Sequence, residues 1–369
     1  MTTKAIGLIF PNRYDERLHE MTAHRAFGSV PFGGRYRLID FPLSNMVHGG
    51  ISKVGILTKS HYHSLMDHIG SGKAWDLSRK NEGLYFLPSL TMQDDQYDGR
   101  IVPLSNIFRF MEHSKERYVV LSDCHVIGNI RYRDLIETHA ASGAEITVAY
   151  RRGEVPALPD ALTLEVDGNG PAKALYIGAA PAGETACGLG IYVMEKDRLM
   201  ELVREAMSRG RMNFERDIVQ KRAEAGGVYG YEVTDYTRMI TCLGDYYEAN
   251  MELMRQEVRE KLFPANYPIY TKVRDCCPAI YGLDAEVSDS LVADGSRVEG
   301  TVRHSILFRN VSVEKGAVIE NCIVMQGTVI RRGSQLDCII MDKDVQVQEN
   351  RTLRGHRKYP LYVSKGRNI

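Results

Sequence analysis

The sequence has no excess of charge of either sign, because 47 lysines and arginines balance 47 aspartates and glutamates. A neutral chain gives no electrostatic reason to expect nucleic acid or an anionic membrane as a partner, and it weakly favours self-association. The sequence has no run of 18 apolar residues, so we expect no membrane-spanning helix. The start of the chain is interrupted too soon by Pro11 to serve as a signal peptide. We therefore expect a cytoplasmic protein of two or three globular domains.

Cysteines are few, with seven in 369 residues, and no two of them have CxxC spacing. This odd number predicts reduced thiols and not a disulfide framework. The adjacent Cys276 and Cys277 could form a redox-sensitive pair, but we expect buried, small apolar side chains. The spacing of His61, His63 and His68 does not gather them on one helix face, so no zinc site is predicted there.

Apolar runs alternate with helical patterns along the first two thirds of the chain. Runs that suit buried strands lie at 4–10, 53–58, 117–122, 145–150 and 188–194. Stretches with helical periodicity lie at 60–69, 132–143, 197–210 and 244–258. This alternation predicts an α/β domain over residues 1–262, with a mostly parallel sheet and helices on both faces.

The pattern changes after a proline-rich stretch at 263–279, which we predict to be a linker. Beyond it, apolar residues recur every six positions, in one set at Val318, Val324, Ile330 and Leu336 and in another at Val313, Ile319 and Met325. Glycines that could form corners lie at Gly295, Gly300, Gly316, Gly327 and Gly333. A six-residue repeat is typical of a parallel β-helix, whereas an antiparallel β-domain, the alternative, would show a period of two. We therefore predict a β-helix over 280–369, with the basic tail as a cap or contact segment.

One segment is highly specific, namely VPFGGRYRLIDFPLSN at 30–45. Together with GSGKAWDLSR at 70–79, LGIYVM at 189–194, YYEANMEL at 246–253 and the repeats, it resembles the glucose-1-phosphate adenylyltransferase (ADP-glucose pyrophosphorylase) family over almost the whole chain. That family makes ADP-glucose from glucose 1-phosphate and ATP for glycogen or starch. The resemblance implies a Rossmann-like nucleotidyltransferase domain, a left-handed β-helix and a tetramer.

Such a reaction builds negative charge on phosphate groups. A glycine-rich turn supplies backbone N–H groups to hold them. A divalent metal held by carboxylates neutralises the charge, and a lysine adds positive charge near the transferring group. Each of these parts can be compared with the matching stretch of this chain.

The glycine-rich loop of the resembled family is absent. Where the family has Ala-Gly-Gly-x-Gly-Ser-Arg-Leu, this chain has PNRYDERL, with Asn12, Arg13 and Asp15 at the three glycine positions. Side chains at these positions block close approach to the backbone, and Asp15 repels phosphate. Phe27 stands where the resemblance implies a lysine.

Both metal-binding aspartates implied by the resemblance are also replaced. Cys124 takes one position, in VLSDCH, and Met239 takes the other, in TRMITC. Neither sulfur atom suits magnesium, which prefers hard oxygen ligands. Asp123 is one residue away, but a step of one residue would turn its side chain to the other face of the strand.

The resemblance implies two further contacts that are lost. The family's base-contacting Gly-Thr-Ala-Asp-Ala corresponds to GRIVP, where only Gly99 remains. Ala179 and Ala180 replace the sugar-phosphate pair Glu-Lys, and Gly188 replaces a serine.

The chemical positions are therefore lost while the structural motifs around them are kept. This combination is similar to the noncatalytic GlgD-type subunit of the bacterial enzyme. We expect no catalytic residue, no metal and no cofactor, and a regulatory subunit that modulates an active homologous subunit in a mixed tetramer of glycogen biosynthesis. Three alternatives stay open: a nucleotidyltransferase with a site rebuilt around Asp123, Asp235 or Asp245, a stand-alone sugar-phosphate or nucleotide sensor, and a β-helix acyltransferase, which leaves the first 260 residues unexplained.

Four basic residues are candidates for contact with a small phosphorylated effector, namely His24, Arg25, Arg354 and Arg357. For the first two, the resemblance points to effector-binding residues nearby. The alternative interpretation is that all four are solvated surface charges.

Three further residues invite a functional interpretation but are predicted to be structural. We expect Arg37 and Asp40 to form an ion pair or a capping interaction. We expect Trp75, the only tryptophan, to pack in the core or at a subunit contact, although stacking on a sugar is the alternative.

Overall fold

The computed structural model describes residues 4–80, 82–88, 99–156, 158, 160–178 and 185–369. Its contacts form two compact units. The sheet unit comprises residues 1–13, 41–239 and 267–270, and the solenoid unit comprises residues 14–40, 240–266 and 271–369. Because these units interleave along the chain, the predicted domain and linker limits stay predictions.

Helices of the described residues are short apart from two. They are α1 (His19–Thr22), α2 (Asp40–His48), α3 (His63–Ile69), α4 (Ile101–Asn106), α5 (Phe108–Glu112), α6 (Tyr132–Ser142), α7 (Lys196–Ser208), α8 (Lys221–Glu224), α9 (Leu243–Met251) and α10 (Gln256–Leu262). Turns of 3₁₀-helix span Asp15–Leu18, Phe27–Ser29, Lys73–Trp75 and Glu252–Met254, and a π-helical turn spans Glu215–Gln220.

The strands fall into two groups. Those up to residue 239 are β1 (Ala5–Phe10), β2 (Pro31–Phe32), β3 (Tyr36–Arg37), β4 (Lys53–Thr58), β5 (Gly83–Pro88), β6 (Tyr118–Asp123), β7 (Val126–Gly128), β8 (Ile146–Gly153), β9 (Leu162–Glu165), β10 (Gly170–Pro171), β11 (Ala174–Ile177), β12 (Thr185–Glu195), β13 (Val228–Glu232) and β14 (Thr237–Met239). Those of the repeat region are β15 (Ile280–Tyr281), β16 (Glu286–Ser288), β17 (Leu291–Val292), β18 (Arg297–Val298), β19 (Thr301–Arg303), β20 (Ile306–Leu307), β21 (Ser312–Val313), β22 (Val318–Glu320), β23 (Ile323–Val324), β24 (Val329–Ile330), β25 (Gln335–Asp337), β26 (Ile339–Met341), β27 (Gln346–Val347), β28 (Thr352–Arg354) and β29 (Leu361–Val363).

The sheet unit is built on one mixed sheet with the strand order β10-β13-β8-β12-β6-β1-β4-β5. Strands β5, β4, β1 and β6 run parallel, and β13 runs parallel to β8, whereas β12 is antiparallel to β6 and β8. All six residues of β1 are buried, as expected for an apolar strand between two parallel neighbours. The predicted α/β fold with a mostly parallel sheet is confirmed.

The predicted single helix over 244–258 is wrong. The structure has α9 and α10 there, and between them Arg255 has an extended backbone with φ −78° and ψ 125°. The Arg259 guanidinium donates hydrogen bonds to the carbonyl oxygens of Leu253 and Met254, at 2.6 and 2.7 Å. These bonds satisfy carbonyl groups that a helix end leaves free, so the break is stabilised locally.

The solenoid unit contains three parallel five-stranded sheets, which confirms the predicted β-helix. Their orders are β15-β18-β21-β24-β27, β16-β19-β22-β25-β28 and β17-β20-β23-β26-β29. Ile319 pairs with Val302 and with Leu336, each 17 residues away. Val324 pairs with Leu307 and Met341 at the same spacing.

The repeat therefore departs from a strict step of six. Buried side chains at Val313, Ile319, Val324, Ile330 and Leu336 line the core of the solenoid. Because the step from Ile319 to Val324 is five residues, the inward-facing series passes from one predicted set to the other. Val318, which began the first predicted set, is only half-buried.

The predicted glycine corners have two different explanations. Gly295, Gly316, Gly327 and Gly333 have φ between 72° and 77°, a left-handed conformation that favours glycine. At Gly300, a Cβ atom would lie 2.4 Å from the carbonyl oxygen of Ala317 in the next coil. Gly300 is thus needed for close packing of coils. The basic tail continues the solenoid, because β29 pairs with β26.

The predicted burial of the adjacent thiols is wrong. Cys277 is exposed and Cys276 is half-buried, and both are free. They precede β15, the first strand of the solenoid, in a stretch without helix or strand.

In the described part of the chain, no helix combines the length and apolarity that spanning a bilayer requires.

Candidate functional site

The carboxyl ends of β1 and β6 lie side by side, with Phe10 opposite Asp123. The loop that follows β1 therefore meets the end of β6 at one edge of the sheet. In open α/β sheets this edge is the usual place for a ligand. It also brings the altered loop next to the altered metal-binding strand.

Asn12, at the first lost glycine position, ties the loop to the end of β4. Its side-chain amide donates to the carbonyl of Ser60 at 3.1 Å, and its Oδ1 accepts from the backbone N–H of Lys59 at 3.1 Å. The asparagine side chain thus fixes the loop through bonds that a glycine could not make.

Arg13, at the second lost glycine position, reaches into the site. Its guanidinium donates to Glu215 at 2.8 Å and to Asp160 at 3.3 Å, and its Nε lies 3.6 Å from Oδ2 of Asp123. The side chain is 9% exposed. A buried cation therefore stands where the resembled family has bare backbone.

Arg100, the residue after Gly99, binds the same carboxylates from another side. Its Nη2 donates to Asp123 at 2.6 Å, and its Nη1 forms an ion pair with Glu215. Aromatic rings surround the guanidinium at 5.0–5.7 Å, namely those of Phe10, Tyr192 and Phe214. Arg100 is 1% exposed, so this ion-pair network is almost dry.

Burial and charge shift the titration of the neighbouring groups. Burial raises the pKa of the Asp123 carboxyl, and the guanidiniums of Arg100 and Arg13 oppose that rise. Burial also lowers the pKa of His125 well below its usual value, and the same two arginines lower it further. His125 is therefore neutral at physiological pH.

The prediction that Asp123 turns away from the site is wrong. Its carboxylate lies in the network with Arg13 and Arg100. The irregular stretch of β12 between Gly188 and Ile191 leaves space for it. Gly190 has φ +67°, and a Cβ atom there would lie 2.6 Å from Oδ2 of Asp123.

The two positions that replace metal aspartates are apolar in this structure. Cys124 is buried, and Met239 lies in β14 with its sulfur 3.9 Å from the sulfur of Cys187. Burial raises the pKa of Cys187 to about 11, so this thiol is neutral. Among the described residues, no group of three or more His, Cys, Asp or Glu side chains is arranged to hold a metal ion. The residues present do not fit the magnesium ion that the fold family implies.

A small cavity remains where the altered loop meets Gly99 and Arg100. Asn12 and Arg13 line it on one side, and its volume is about 30 Å³. A water molecule needs roughly 10–15 Å³ by this measure, so the cavity holds about two waters. The stretches that the resemblance assigns to phosphate and base do meet, but they leave little room.

Two other altered positions have structural roles within the solenoid unit. The carboxylate of Asp15 accepts a hydrogen bond from the backbone N–H of Phe27 at 2.7 Å. Phe27 is fully buried, and its ring lies 5.8 Å from that of Tyr14. The residue in the lysine position thus belongs to the core.

The predicted effector contacts differ in exposure. His24, Arg354 and Arg357 are exposed. Arg25 is 4% exposed, and its guanidinium bonds both carboxylate oxygens of Asp342 at 2.8 Å. The charge of Arg25 is therefore matched within the solenoid unit, and effector binding at these residues stays a prediction.

The residues predicted to be structural are found in such positions. The backbone N–H of Arg37 donates to Asp40 at 3.0 Å, a capping interaction at the start of α2. Trp75 is 1% exposed and lies edge-on to His68, with ring centroids 5.8 Å apart. We therefore assign Trp75 to the core.

The remaining candidates contribute no chemistry that the structure describes. Asp245 accepts hydrogen bonds from the backbone N–H and the hydroxyl of Thr241, at 2.9 and 2.5 Å, near the start of α9. Asp235 is exposed. Ala179 and Ala180 lie outside the described residues.

Sequence reasoning missed three members of the network, namely Arg100, Asp160 and Glu215. The sequence did contain a signal for Arg100, because this large cation directly follows Gly99, the one residue kept in the base-contacting stretch. The sequence contained no signal for Asp160 or Glu215, because only the fold brings them close to Arg13.

Comparisons with known proteins identify relatives of both parts of the chain. The family model "Nucleotidyl transferase" matches residues 14–237, and "GlmU-like, C-terminal hexapeptide" matches residues 280–356. A glycogen biosynthesis protein GlgD from Bacillus subtilis is 35% identical over 98% of this chain and 96% of its own length. Its counterpart from Geobacillus stearothermophilus is 34% identical over 99% and 97%.

A named adenylyltransferase is also similar. A glucose-1-phosphate adenylyltransferase from Thermotoga neapolitana is 33% identical over 85% of this chain and 76% of its own length. Because the matches to the family and to these relatives extend over most of the sequence, the chain belongs to the nucleotidyl transferase family, among the relatives of GlgD proteins and glucose-1-phosphate adenylyltransferases.

Proposed function

We propose that this chain is a noncatalytic, regulatory subunit of glucose-1-phosphate adenylyltransferase in glycogen biosynthesis. It acts in a mixed tetramer by modulating an active homologous subunit. The names of its relatives support the pathway. The lost catalytic role is supported by one observation, the ion-pair network at the end of β1 and β6.

In that network, Arg13 and Arg100 form ion pairs with the carboxylates that could otherwise bind a metal ion. Asp123 and Glu215 are each bound to both arginines. Magnesium would have to displace these cations and dehydrate at the same time, with sulfur at both expected ligand positions. The chain itself thus supplies the cationic partners of these carboxylates.

The two main alternatives are less well supported. A rebuilt metal site would need free carboxylates, but Asp123 is engaged and Asp245 bonds to Thr241. A nucleotide sensor that bound its ligand at the altered loop would need space there, and the cavity beside Arg13 has about 30 Å³. Each alternative nevertheless predicts a result that can be measured.

Mg-ATP should bind this chain with a dissociation constant in the millimolar range or weaker, equivalent to less than about 4 kcal/mol. The reason is that Asn12 and Arg13 occupy the phosphate-binding loop and leave a cavity of only about 30 Å³. Isothermal calorimetry measures this directly, with an active homologous subunit as the positive control. Micromolar affinity that persists in the double variant Lys80→Gln and Arg109→Gln would refute the closed site and favour the sensor.

The partner surface that we propose is the first coil of the solenoid. Its strands β15, β16 and β17 are each terminal in their sheets. Ile280 is 62% exposed, Tyr281 52%, and Leu283 fully exposed. Apolar side chains beside open strand edges favour docking against another polypeptide. A coil of a homologous solenoid offers the same backbone spacing and apolar surface.

The double substitution Ile280→Glu and Leu283→Glu should prevent assembly with the active subunit. Two carboxylates would have to be buried without partners in the interface. We expect at least about a tenfold loss of the mixed complex in co-purification, which corresponds to about 1.4 kcal/mol. Met207→Glu, at a 39% exposed position on α7, is the matched control and should assemble normally. Full assembly of the double variant would show that the first coil is not the contact.

A further inference from the structure

A groove in the sheet unit lies along β5, which is a terminal strand of the sheet. Its volume is about 710 Å³, within the usual range of roughly 300–1,000 Å³ for ligand pockets. Its charged and aromatic lining consists of Lys53, Lys80, Tyr85, Arg109, Phe110 and His113. None of the described residues that line it is an aspartate or a glutamate.

Lys53 is the buried cation of this groove, at 8% exposure. Its ammonium donates to the hydroxyl of Ser114 at 2.6 Å and lies 4.6 and 5.7 Å from the ring centroids of Phe110 and Tyr85. No carboxylate of the described residues forms an ion pair with it. A buried ammonium with only a hydroxyl and ring faces for partners is costly, and an anion in the groove would offset that cost.

Lys80 and Arg109 extend the positive charge to the rim. Both are exposed, and neither forms an ion pair with a described carboxylate. Nearby arginines differ, because Arg79 pairs with Asp76 and Arg204 pairs with Glu112. The cations of the groove therefore remain available to an external anion.

The aromatic rings supply the second half of a binding site. Tyr85 and Phe110 lie edge to face, with centroids 5.2 Å apart and an interplanar angle of 63°. A flat apolar group can pack against such a pair. Arginine and lysine together suit a phosphate group, by bidentate bonding and by charge.

We propose that this groove binds a small phosphorylated ligand with a flat apolar body. The phosphate lies between Lys80 and Arg109, in the field of Lys53, and the body contacts Tyr85 and Phe110. This assignment does not depend on the noncatalytic role, because it concerns binding and not turnover.

Phenyl phosphate is the probe, with inorganic phosphate and phenol as its separate halves. In isothermal calorimetry with the full chain, phenyl phosphate should bind at least about tenfold more tightly than inorganic phosphate, because only it uses both parts of the groove. Phenol should bind more weakly than either. The double variant Lys80→Gln and Arg109→Gln should weaken phenyl phosphate binding at least about tenfold.

The matched control is Lys59→Gln with Arg133→Gln. Lys59 lines the other cavity, and Arg133 is an exposed cation on α6. This control should retain parental affinity, and Tyr85→Leu should remove the preference for phenyl phosphate over phosphate. Binding that survives the Lys80 and Arg109 substitutions, or is equal for the two phosphates, or is lost in the Lys59 control, would overturn the assignment.

Discussion

Assayed alone with magnesium, ATP and glucose 1-phosphate, the purified chain should form ADP-glucose at least about 10⁴-fold more slowly than an active glucose-1-phosphate adenylyltransferase. Removing one preorganised interaction with the reacting charge commonly costs about 10²–10³ in rate. By the resemblance to that family, the loop, the lysine and both metal carboxylates are all replaced in this chain. Steady-state measurement of pyrophosphate and ADP-glucose tests this expectation.

Restoring the two carboxylates should not restore activity. The double variant Cys124→Asp and Met239→Asp supplies oxygen ligands, but Arg13 and Arg100 still hold the neighbouring Asp123 and Glu215. We expect turnover to stay at background. If the unaltered chain worked within about tenfold of an ordinary rate of ~1–10³ s⁻¹, the noncatalytic interpretation would fail.

The second large effect is on stability. Replacing Arg100 by methionine should lower the free energy of unfolding by about 3–5 kcal/mol, because it leaves buried carboxylates with too few partners. Arg100 and Asp123 are 1% and 2% exposed, so water cannot compensate. Methionine suits the space among the rings of Phe10, Tyr192 and Phe214, so most of the loss comes from charge.

A compensated variant separates charge from packing. Adding Asp123→Asn to Arg100→Met removes one buried carboxylate and leaves Arg13 paired with Glu215 and Asp160, so it should recover at least half of the lost stability. Arg133→Met on the exposed face of α6 is the control and should change stability by less than about 0.5 kcal/mol. Urea unfolding followed by circular dichroism gives the values. A loss below about 1 kcal/mol for Arg100→Met would mean that the network does not stabilise the site.

The fold could be predicted from the sequence because the patterns that indicate it, apolar runs and a short repeat, are local and recur along the chain. The strand over 53–58 was predicted with the limits that the structure has, and β1 differs from its prediction only at residue 4. The split between α9 and α10 was not accessible, because the bonds from Arg259 that stabilise it form only after folding. In the solenoid, apolar residues on two faces hid the five-residue step from Ile319 to Val324.

The site was predictable as a set of losses but not as an arrangement. Comparison of residue types showed that Asn12, Arg13, Cys124 and Met239 do not suit phosphate or magnesium. It could not show that the Arg13 side chain donates a hydrogen bond to Glu215, which is 202 positions away in the sequence. The position of Asp123 was missed for a related reason, because the space for it is made by Gly190 on another strand.

The most direct test uses a mixed complex in which only the active partner is disabled. The complex with an intact partner should be active, and its saturation curves should differ from those of the partner alone, by a coupling of about 1–3 kcal/mol or roughly 5–150-fold. Replacing a metal-binding aspartate of the partner by asparagine should then silence the whole complex, while Asp123→Asn in this chain should leave turnover in place. Activity that survives loss of the partner's aspartate would place a working catalytic site in this chain and contradict the account.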